Sequence, residues 1–175
     1  GGSNPAHTVS HLPTSSFFKP ISKESGKTGS GPRPHCGLID ELHEHPNRDI
    51  VEMIERGFKF RQNPLLFLIT NSGSNRNSYC YEWHETAVKA AHRSHDSSDL
   101  AAMDRIFSYV CALDEGDDPL WIGPNGELPV DIWKKANPLL GTILTEEYLA
   151  GVAADARAVP GKANGIKRLH FCMWT

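Results

Sequence analysis

Two adjacent carboxylates, Asp40 and Glu41, end a short apolar run in this sequence of 175 residues. The four residues before them read Cys-Gly-Leu-Ile, which predicts a short buried strand. Open α/β sheets bind ligands beyond the carboxyl ends of their strands, where this pair would lie. There an Asp can hold Mg²⁺ through its water shell, and a Glu can polarise an attacking water. Asp-Glu pairs are common, so a strand that merely ends in solvated acids is the alternative.

A turn of small polar residues follows the most apolar strand candidate of the chain. Residues 64–70 read PLLFLIT and predict a strand that is buried on both faces, as in a mainly parallel sheet. The side chains of Thr70, Asn71 and Ser72 could sense a γ-phosphate or a catalytic water and transmit its presence as a loop movement. The alternative is an ordinary turn in which Ser78 or a neighbour caps the next helix.

The wider pattern predicts an α/β protein, because segments typical of strands alternate with segments typical of helices. Thr145 is a suitable N-cap for a helix, and Pro160 begins or kinks the last one. Strands are expected over residues 17–21, 36–41, 64–70 and 106–113, and helices over 49–60, 78–93 and 132–136, from 145, and from 160.

Composition indicates one globular domain, with 39% hydrophobic and 22% charged residues. The net charge of −3 gives no global attraction to nucleic acid, so DNA contact would need a local patch or parts outside this sequence. No apolar run is long enough to cross a bilayer, and no signal peptide is recognisable. The four scattered cysteines are typical of a reduced, cytosolic protein. The first residue is Gly, so we expect the natural start elsewhere.

Five segments, in unbroken order between residues 17 and 175, resemble the large subunit of tailed-phage terminases. Residues 34–45, PHCGLIDELHEH, resemble the Walker B segment of that family, and residues 69–73, ITNSG, resemble its coupling motif. The others resemble the strand and acidic turn that follow, the family signature W-x-K-A-N-P-x-L-G, and the segment before the nuclease domain: residues 108–118, 133–141 and 168–175. Because several independent motifs agree, chance is a poor explanation.

The resemblance implies a fold and a role for each site residue. The fold would be a partial three-layer P-loop ATPase domain with a mainly parallel sheet, followed by a helical extension. Asp40 would hold Mg²⁺ through water, and Glu41 would be the catalytic carboxylate. Thr70, Asn71 and Ser72 would couple hydrolysis to movement.

The family uses ATP to drive double-stranded DNA into a capsid, and its nuclease domain cuts the concatemer. The resemblance therefore implies Mg²⁺ and ATP as cofactors of the complete protein. It implies double-stranded DNA, the portal protein, the small terminase subunit and further copies of the chain as partners, in the host cytoplasm and without a membrane. The Walker A loop is expected upstream of Gly1 and the nuclease acids downstream of Thr175, so we expect this chain to be inactive alone.

The same resemblance predicts three regions along the chain. Residues 1–16 would be a flexible lead-in, residues 17–113 the Walker B and coupling-motif half of the ATPase domain, and residues 114–175 a helical extension towards a nuclease domain. In related ATPases the P-loop strand lies beside the coupling-motif strand. Without that neighbour, the strand over residues 65–70 would keep an unpaired apolar edge, so we expect marginal stability or self-association.

Other motifs are weaker. Gly26-Lys27-Thr28 ends like a P-loop, but Ile21 stands where that loop needs its first glycine, so a basic surface loop is preferred. Arg76 could reach a phosphate as an arginine finger, although a solvated arginine in a turn is favoured. The Cys and His residues lack the paired spacing of a zinc site, and His43 is expected at the edge of the loop after the Asp-Glu pair.

Two other classes of function stay open. One is a non-enzymatic interaction domain, such as a prophage remnant, that binds partner subunits without hydrolysing ATP. The other is a metal-dependent nuclease that uses Asp40 and Glu41 directly. A nuclease needs further carboxylates at the same metals, for which Asp114 and Asp117 are candidates.

Overall fold

The structure is a computed structural model that describes residues 7–21, 33–92 and 100–175. The chain divides into two compact units, the first made of Gly1–Ile39 with Asn47–Phe67 and the second of Asp40–Pro46 with Leu68–Thr175. Within the described ranges the strands are β1 (Val9–His11), β2 (Ser16–Phe18), β3 (Cys36–Ile39) and β4 (Leu65–Leu68). The α-helices are α1 (Asp49–Gly57), α2 (Tyr79–His92), α3 (Leu100–Met103), α4 (Val130–Ala136), α5 (Glu146–Ala158) and α6 (Pro160–Phe171).

The first unit begins with an antiparallel hairpin of β1 and β2, in which Val9 lies opposite Phe18. The lead-in predicted to be flexible over residues 1–16 therefore contains regular structure from Val9 onwards. The strand predicted over residues 17–21 instead ends at Phe18. Pro20 follows closely, and it has no amide hydrogen to donate to a ladder.

β3 and β4 form a two-stranded parallel sheet, as the sequence predicted for this part of the chain. The Leu65 amide donates to the His35 carbonyl at 3.0 Å, where both strands begin. α1 packs closely on one face of this sheet. A Cβ atom at Gly37 would lie 2.6 Å from Cγ2 of Ile54, so the position tolerates only glycine without rearrangement.

The other face of this sheet is exposed, which corrects the prediction that residues 64–70 are buried on both faces. Leu65 and Phe67 of β4 are 52% and 47% exposed, and Leu38 of β3 is 56% exposed. The intervening residues Leu66 and Leu68 are partly buried. A central parallel strand needs cover on both sides, and within the described residues β4 pairs only with β3.

Residues 106–113 form no strand, although their apolar run predicts one. Phe107 is 92% exposed, and Tyr109 is 75% exposed. Strand backbone needs a neighbour for its hydrogen bonds, and in the part of the chain that the structure describes no ladder is formed by this segment. Its apolar pattern alone was therefore an insufficient signal.

The core of the second unit lies between α4, α5 and α6. Trp133 is fully buried there, packs at 6.0 Å from the Phe171 ring, and donates its Nε1 hydrogen to the Pro119 carbonyl at 2.8 Å. Two local predictions are confirmed: the Thr145 side chain caps α5 by accepting from the Tyr148 amide, and Pro160 begins α6. The other fully or largely buried members of this core are Leu140, Leu149 and Ala153.

Candidate functional site

Asp40 and Glu41 follow directly on β3, at its carboxyl end. Oδ1 of Asp40 accepts a hydrogen bond from the Glu41 amide at 2.9 Å. Glu41 has a φ of 52°, in the left-handed region that residues other than glycine seldom adopt. The chain therefore turns sharply here, and a 3-10 turn over Leu42–Glu44 begins immediately.

This 3-10 turn is fastened to the residues that follow β4. The Leu42 amide donates to the Ile69 carbonyl at 3.3 Å, and the Leu42 side chain is buried. The next amide, that of His43, donates to Oγ1 of Thr70 at 3.0 Å. Both partners lie just past the carboxyl ends of the two strands, so the predicted acids and the predicted sensor residues are joined at one edge through the backbone of this turn.

The His43 side chain adds a second link between the two. Its Nδ1 atom lies 3.2 Å from Oε2 of Glu41 and 3.1 Å from Oγ1 of Thr70. Its Nε2 atom lies 3.3 Å from Oε1 of Glu44, and the ring is only 5% exposed, whereas Glu41 is 60% exposed. The sequence predicted His43 at this edge but not its contact with Thr70, because that contact depends on the pairing of β3 with β4.

Thr70, Asn71 and Ser72 make a tight, hydrogen-bonded start to the turn after β4. The Thr70 hydroxyl donates to the Asn71 carbonyl at 2.9 Å, and Oδ1 of Asn71 accepts from the Ser72 amide at 2.8 Å. The other end of the Asn71 side chain donates from Nδ2 to the Leu169 carbonyl in α6 at 3.1 Å. Asn71 thus joins this turn to the C-terminal helix.

The later part of the turn is held by the residues after α6. Arg76 donates from Nη2 to the Trp174 carbonyl at 3.2 Å, and its guanidinium lies 5.9 Å from the Tyr81 ring centroid. A Cβ atom at Gly73 would lie 2.8 Å from the Trp174 ring, so the indole packs directly on the backbone of the turn. Arg76 is therefore engaged by protein groups here, and the phosphate contact suggested for it stays a prediction.

Asp40 and Glu41 suit a metal that is held mainly by water and phosphate. Both residues are exposed, and the described residues contain no cluster of three or more Asp, Glu, His or Cys side chains that could hold an ion. Mg²⁺ is usually bound by one or two carboxylates, and waters and substrate phosphates complete its shell. The carboxylate pair fits that ion better than one that needs a full protein cage.

The carboxylates proposed for a nuclease alternative are engaged elsewhere. Nζ of Lys135 lies 2.6 Å from Oδ2 of Asp114 and 2.8 Å from Oδ2 of Asp117. The hydrogen bond from Lys135 and the one from the Asp114 amide lower the pKa of Asp117 below its ordinary value. Lys135 lies in α4 and in the segment 133–141. Its two ion pairs hold the turn that carries Asp114 and Asp117 beside this helix. This pairing gives the nuclease alternative no support.

The Gly26-Lys27-Thr28 triplet, interpreted as a surface loop, lies outside the described residues. Among the helices that are described, none is both long enough and apolar enough to cross a membrane.

Comparison with known proteins gives consistent matches. Residues 6–89 match the family described as terminase large subunit, ATPase domain. Protein YmfN of Escherichia coli strain K12 is 28% identical over 154 residues, which cover 88% of this chain and 31% of that protein. The large terminase subunit of Enterobacteria phage HK97 is 28% identical over 162 residues, covering 91% of this chain and 28% of that protein.

A solved structure extends the likeness to the fold. The crystal structure of the HK97 bacteriophage large terminase matches with a TM-score of 0.74 and 24% identity, covering 98% of this chain and 32% of that chain. The predicted α/β fold, with a parallel sheet followed by a helical extension, is confirmed. The chain spans about a third of the length of the relatives that it matches.

Proposed function

We propose, on the premise that this chain is a fragment of a terminase large subunit, that it supplies the hydrolysis edge of the family's ATPase domain. One observation carries the proposal: the Asp-Glu pair after β3 and the polar turn after β4 are joined by hydrogen bonds at the same edge of a parallel sheet. A nucleotide bound at such an edge can contact both segments at once. The family itself implies the use of a nucleotide.

In this proposal the two acids divide the chemistry between them. Asp40 holds Mg²⁺ through its water shell, and Glu41 orients the attacking water and takes up its proton. The metal, when bound, neutralises charge that develops on the phosphoryl oxygens. Because Oε2 of Glu41 is in contact with His43, the water is expected at Oε1.

In this proposal the polar turn after β4 responds to ATP hydrolysis. Thr70 is in contact with the turn that follows Glu41, so loss of the γ-phosphate changes the surroundings of both segments. Asn71 and Ser72 pass that change on, because Asn71 is bonded to α6 as well as to its own turn. Arg76 reaches a phosphate only if it leaves the Trp174 carbonyl.

The wider function follows from the family and extends beyond these residues. We propose that the chain serves a motor that uses ATP to package double-stranded DNA into a capsid. Residues 17–113 contribute to its ATPase domain, and residues 114–175 form the helical extension towards a nuclease domain. The partners would be the portal protein, the small terminase subunit and further copies of the chain, in the host cytoplasm.

The metal-binding part of this proposal can be tested on the chain itself. Mn²⁺ replaces Mg²⁺ at carboxylate sites and broadens NMR signals of nearby nuclei, so amides around Asp40 and Glu41 should broaden first. Asp40→Asn should remove that effect, whereas Glu147→Gln, a change of an exposed acid in the first turn of α5, should not. Broadening that persists in Asp40→Asn, or that is equal at all acidic positions, would refute the assignment.

A further inference from the structure

The histidine after the Asp-Glu pair occupies an unusual position. Its ring is 5% exposed, yet both of its nitrogens contact oxygen atoms that belong to other residues. Nδ1 reaches Glu41 and Thr70, which are 29 positions apart in sequence, at 3.2 and 3.1 Å. A nearly buried polar ring is costly unless its hydrogen bonds are satisfied, so these contacts determine how the ring is oriented.

The hydrogen-bond partners of the Thr70 hydroxyl determine the role of Nδ1 of His43. The Thr70 hydroxyl has one hydrogen, which it donates to the Asn71 carbonyl, and two lone pairs. One lone pair accepts from the His43 amide. The other can accept from Nδ1 of His43 only if that nitrogen carries a proton, and the same proton also faces Oε2 of Glu41. The Cys80 thiol, at 3.5 Å from the hydroxyl, is a weaker competitor.

We propose that His43 is a positioning residue for the proposed hydrolysis: its Nδ1–H holds the Glu41 carboxylate beside Thr70, so that the acid and the sensor move together. This inference rests on the proposed function. Glu41 needs such a partner, because its backbone is in the left-handed region and its side chain is 60% exposed. An exposed glutamate otherwise samples several rotamers, and most of them do not place the carboxylate for a water-mediated reaction.

Backbone contacts also place His43 next to Thr70, independently of the contacts of its side chain. The turn over Leu42–Glu44 is anchored at Leu42, and its geometry places His43 opposite Thr70. Gly73 lies beside His43 on another side, since a Cβ atom there would be 3.5 Å from Cβ of His43. The ring is therefore confined by groups from both segments.

Two substitutions separate the roles of the two ring nitrogens. Asparagine carries its amide nitrogen on Cγ, as histidine carries Nδ1, whereas glutamine reaches further, towards the position of Nε2. His43→Asn can therefore keep the contact with Glu41 and Thr70, and His43→Gln cannot keep it in the same geometry. Glu44→Gln is the matched control, because it removes the negative partner of Nε2 and leaves Nδ1 unchanged.

The test is made by NMR on the 175-residue chain, with thermal melting to confirm that each variant is folded. Long-range proton–nitrogen spectra should show a protonated Nδ1 at His43 whose shift changes in Glu41→Gln and in Thr70→Val but little in Glu44→Gln. Side-chain relaxation of Glu41 should show it ordered in the wild type and in His43→Asn, and mobile in His43→Gln. An unprotonated Nδ1, or a Glu41 side chain equally mobile in all of these proteins, would overturn the inference.

The two experiments distinguish the proposed metal site at Asp40 from the proposed positioning role of His43. Selective Mn²⁺ broadening at Asp40 together with a mobile Glu41 side chain would refute only the role of His43. An ordered Glu41 side chain that depends on His43, without selective broadening at Asp40, would refute only the proposed metal site. A folded His43→Gln protein in which Glu41 is as ordered as in the wild type would also refute the positioning role.

Discussion

Gly73 allows the Trp174 indole to lie against the turn that follows β4. Because a Cβ atom would come within 2.8 Å of the ring, Gly73→Ala should displace the indole and destabilise the chain by about 1–3 kcal/mol, the usual cost of overpacking. Urea unfolding measures the loss, and hydrogen exchange should increase in residues 172–175. Gly151→Ala is the control. It lies in α5 with open space around it, so it should stabilise the chain by about 0.5–1 kcal/mol.

Equal effects of the two glycine changes would contradict the packing account. A neutral Gly73→Ala would mean that the indole does not press on this turn in solution. The hydrogen-exchange measurement distinguishes a local displacement of the C-terminal residues from a general loss of stability.

His84 should make stability depend on pH in the mildly acidic range. Burial lowers its pKa below its ordinary value, Glu85 opposes the shift, and Arg76 reinforces it. The folded chain thus binds this proton less readily than the unfolded chain. Above about pH 6.5 His84 is neutral in the folded chain and in the unfolded chain, so it does not reduce stability. As the pH falls below that value, the unfolded chain binds the proton more readily, and the free energy of unfolding decreases. The ring packs 5.6 Å from Trp174, so the loss should be felt at the C-terminal segment.

Denaturant unfolding between about pH 8 and pH 5 tests this dependence. The free energy of unfolding should fall more steeply on acidification in the wild type than in His84→Gln, which does not titrate. His170→Gln serves as a comparison, because it removes another partly buried histidine, which lies in the last turn of α6. Identical pH profiles of the wild type and His84→Gln would rule out His84 as the source.

The sequence predicted the secondary-structure elements that are set by neighbouring residues along the chain. It did not predict every strand correctly, because strands require hydrogen bonds to a distant segment. Thr145 and Pro160 fix the starts of α5 and α6 by rules that act within one helical turn. Residues 106–113 carry strand-like side chains, but strand formation depends on a neighbour elsewhere in the chain. For the same reason, the sequence predicted the acids after β3 and the turn after β4, but not that His43 joins them.

The exposed face of the β3–β4 sheet should promote self-association. Leu38, Leu65 and Phe67 form an apolar surface there, and in the described residues β4 has a strand partner on one side only. Such a strand can pair with another chain, because no proline or charge interrupts it. Sedimentation velocity should therefore show association that increases with concentration and that Phe67→Lys reduces.

Phe107→Lys is the matched control for that change. Phe107 is 92% exposed but lies outside any strand, so its replacement should leave association largely unchanged. Equal effects of the two lysine variants would assign association to general surface hydrophobicity. A strictly monomeric wild type with a sharp, high melting transition would contradict the expected unpaired edge altogether.

At the scale of the whole molecule, this chain should not hydrolyse ATP measurably by itself. In the proposed function Asp40 and Glu41 place metal and water, but catalysis also needs a phosphate-binding loop with its lysine. The only Gly-Lys-Thr triplet in the sequence has Ile21 where such a loop has its first glycine. A phosphate-release assay on the purified chain should remain at background. Turnover that Glu41→Gln abolishes would mean that the chain contains a functional phosphate-binding loop.

The most direct test of the account is ATP hydrolysis by a hybrid protein. In it this chain replaces the matching region of the HK97 terminase large subunit, to which it is 28% identical over 162 residues. Circular dichroism and melting establish that the hybrid is folded. We predict ATP hydrolysis above background that Glu41→Gln reduces by at least about 100-fold, the scale expected when a group that acts in the transition state is lost. A folded hybrid that hydrolyses ATP at the same rate with Glu41 and with Gln at that position would contradict the assignment of this edge as the hydrolysis site.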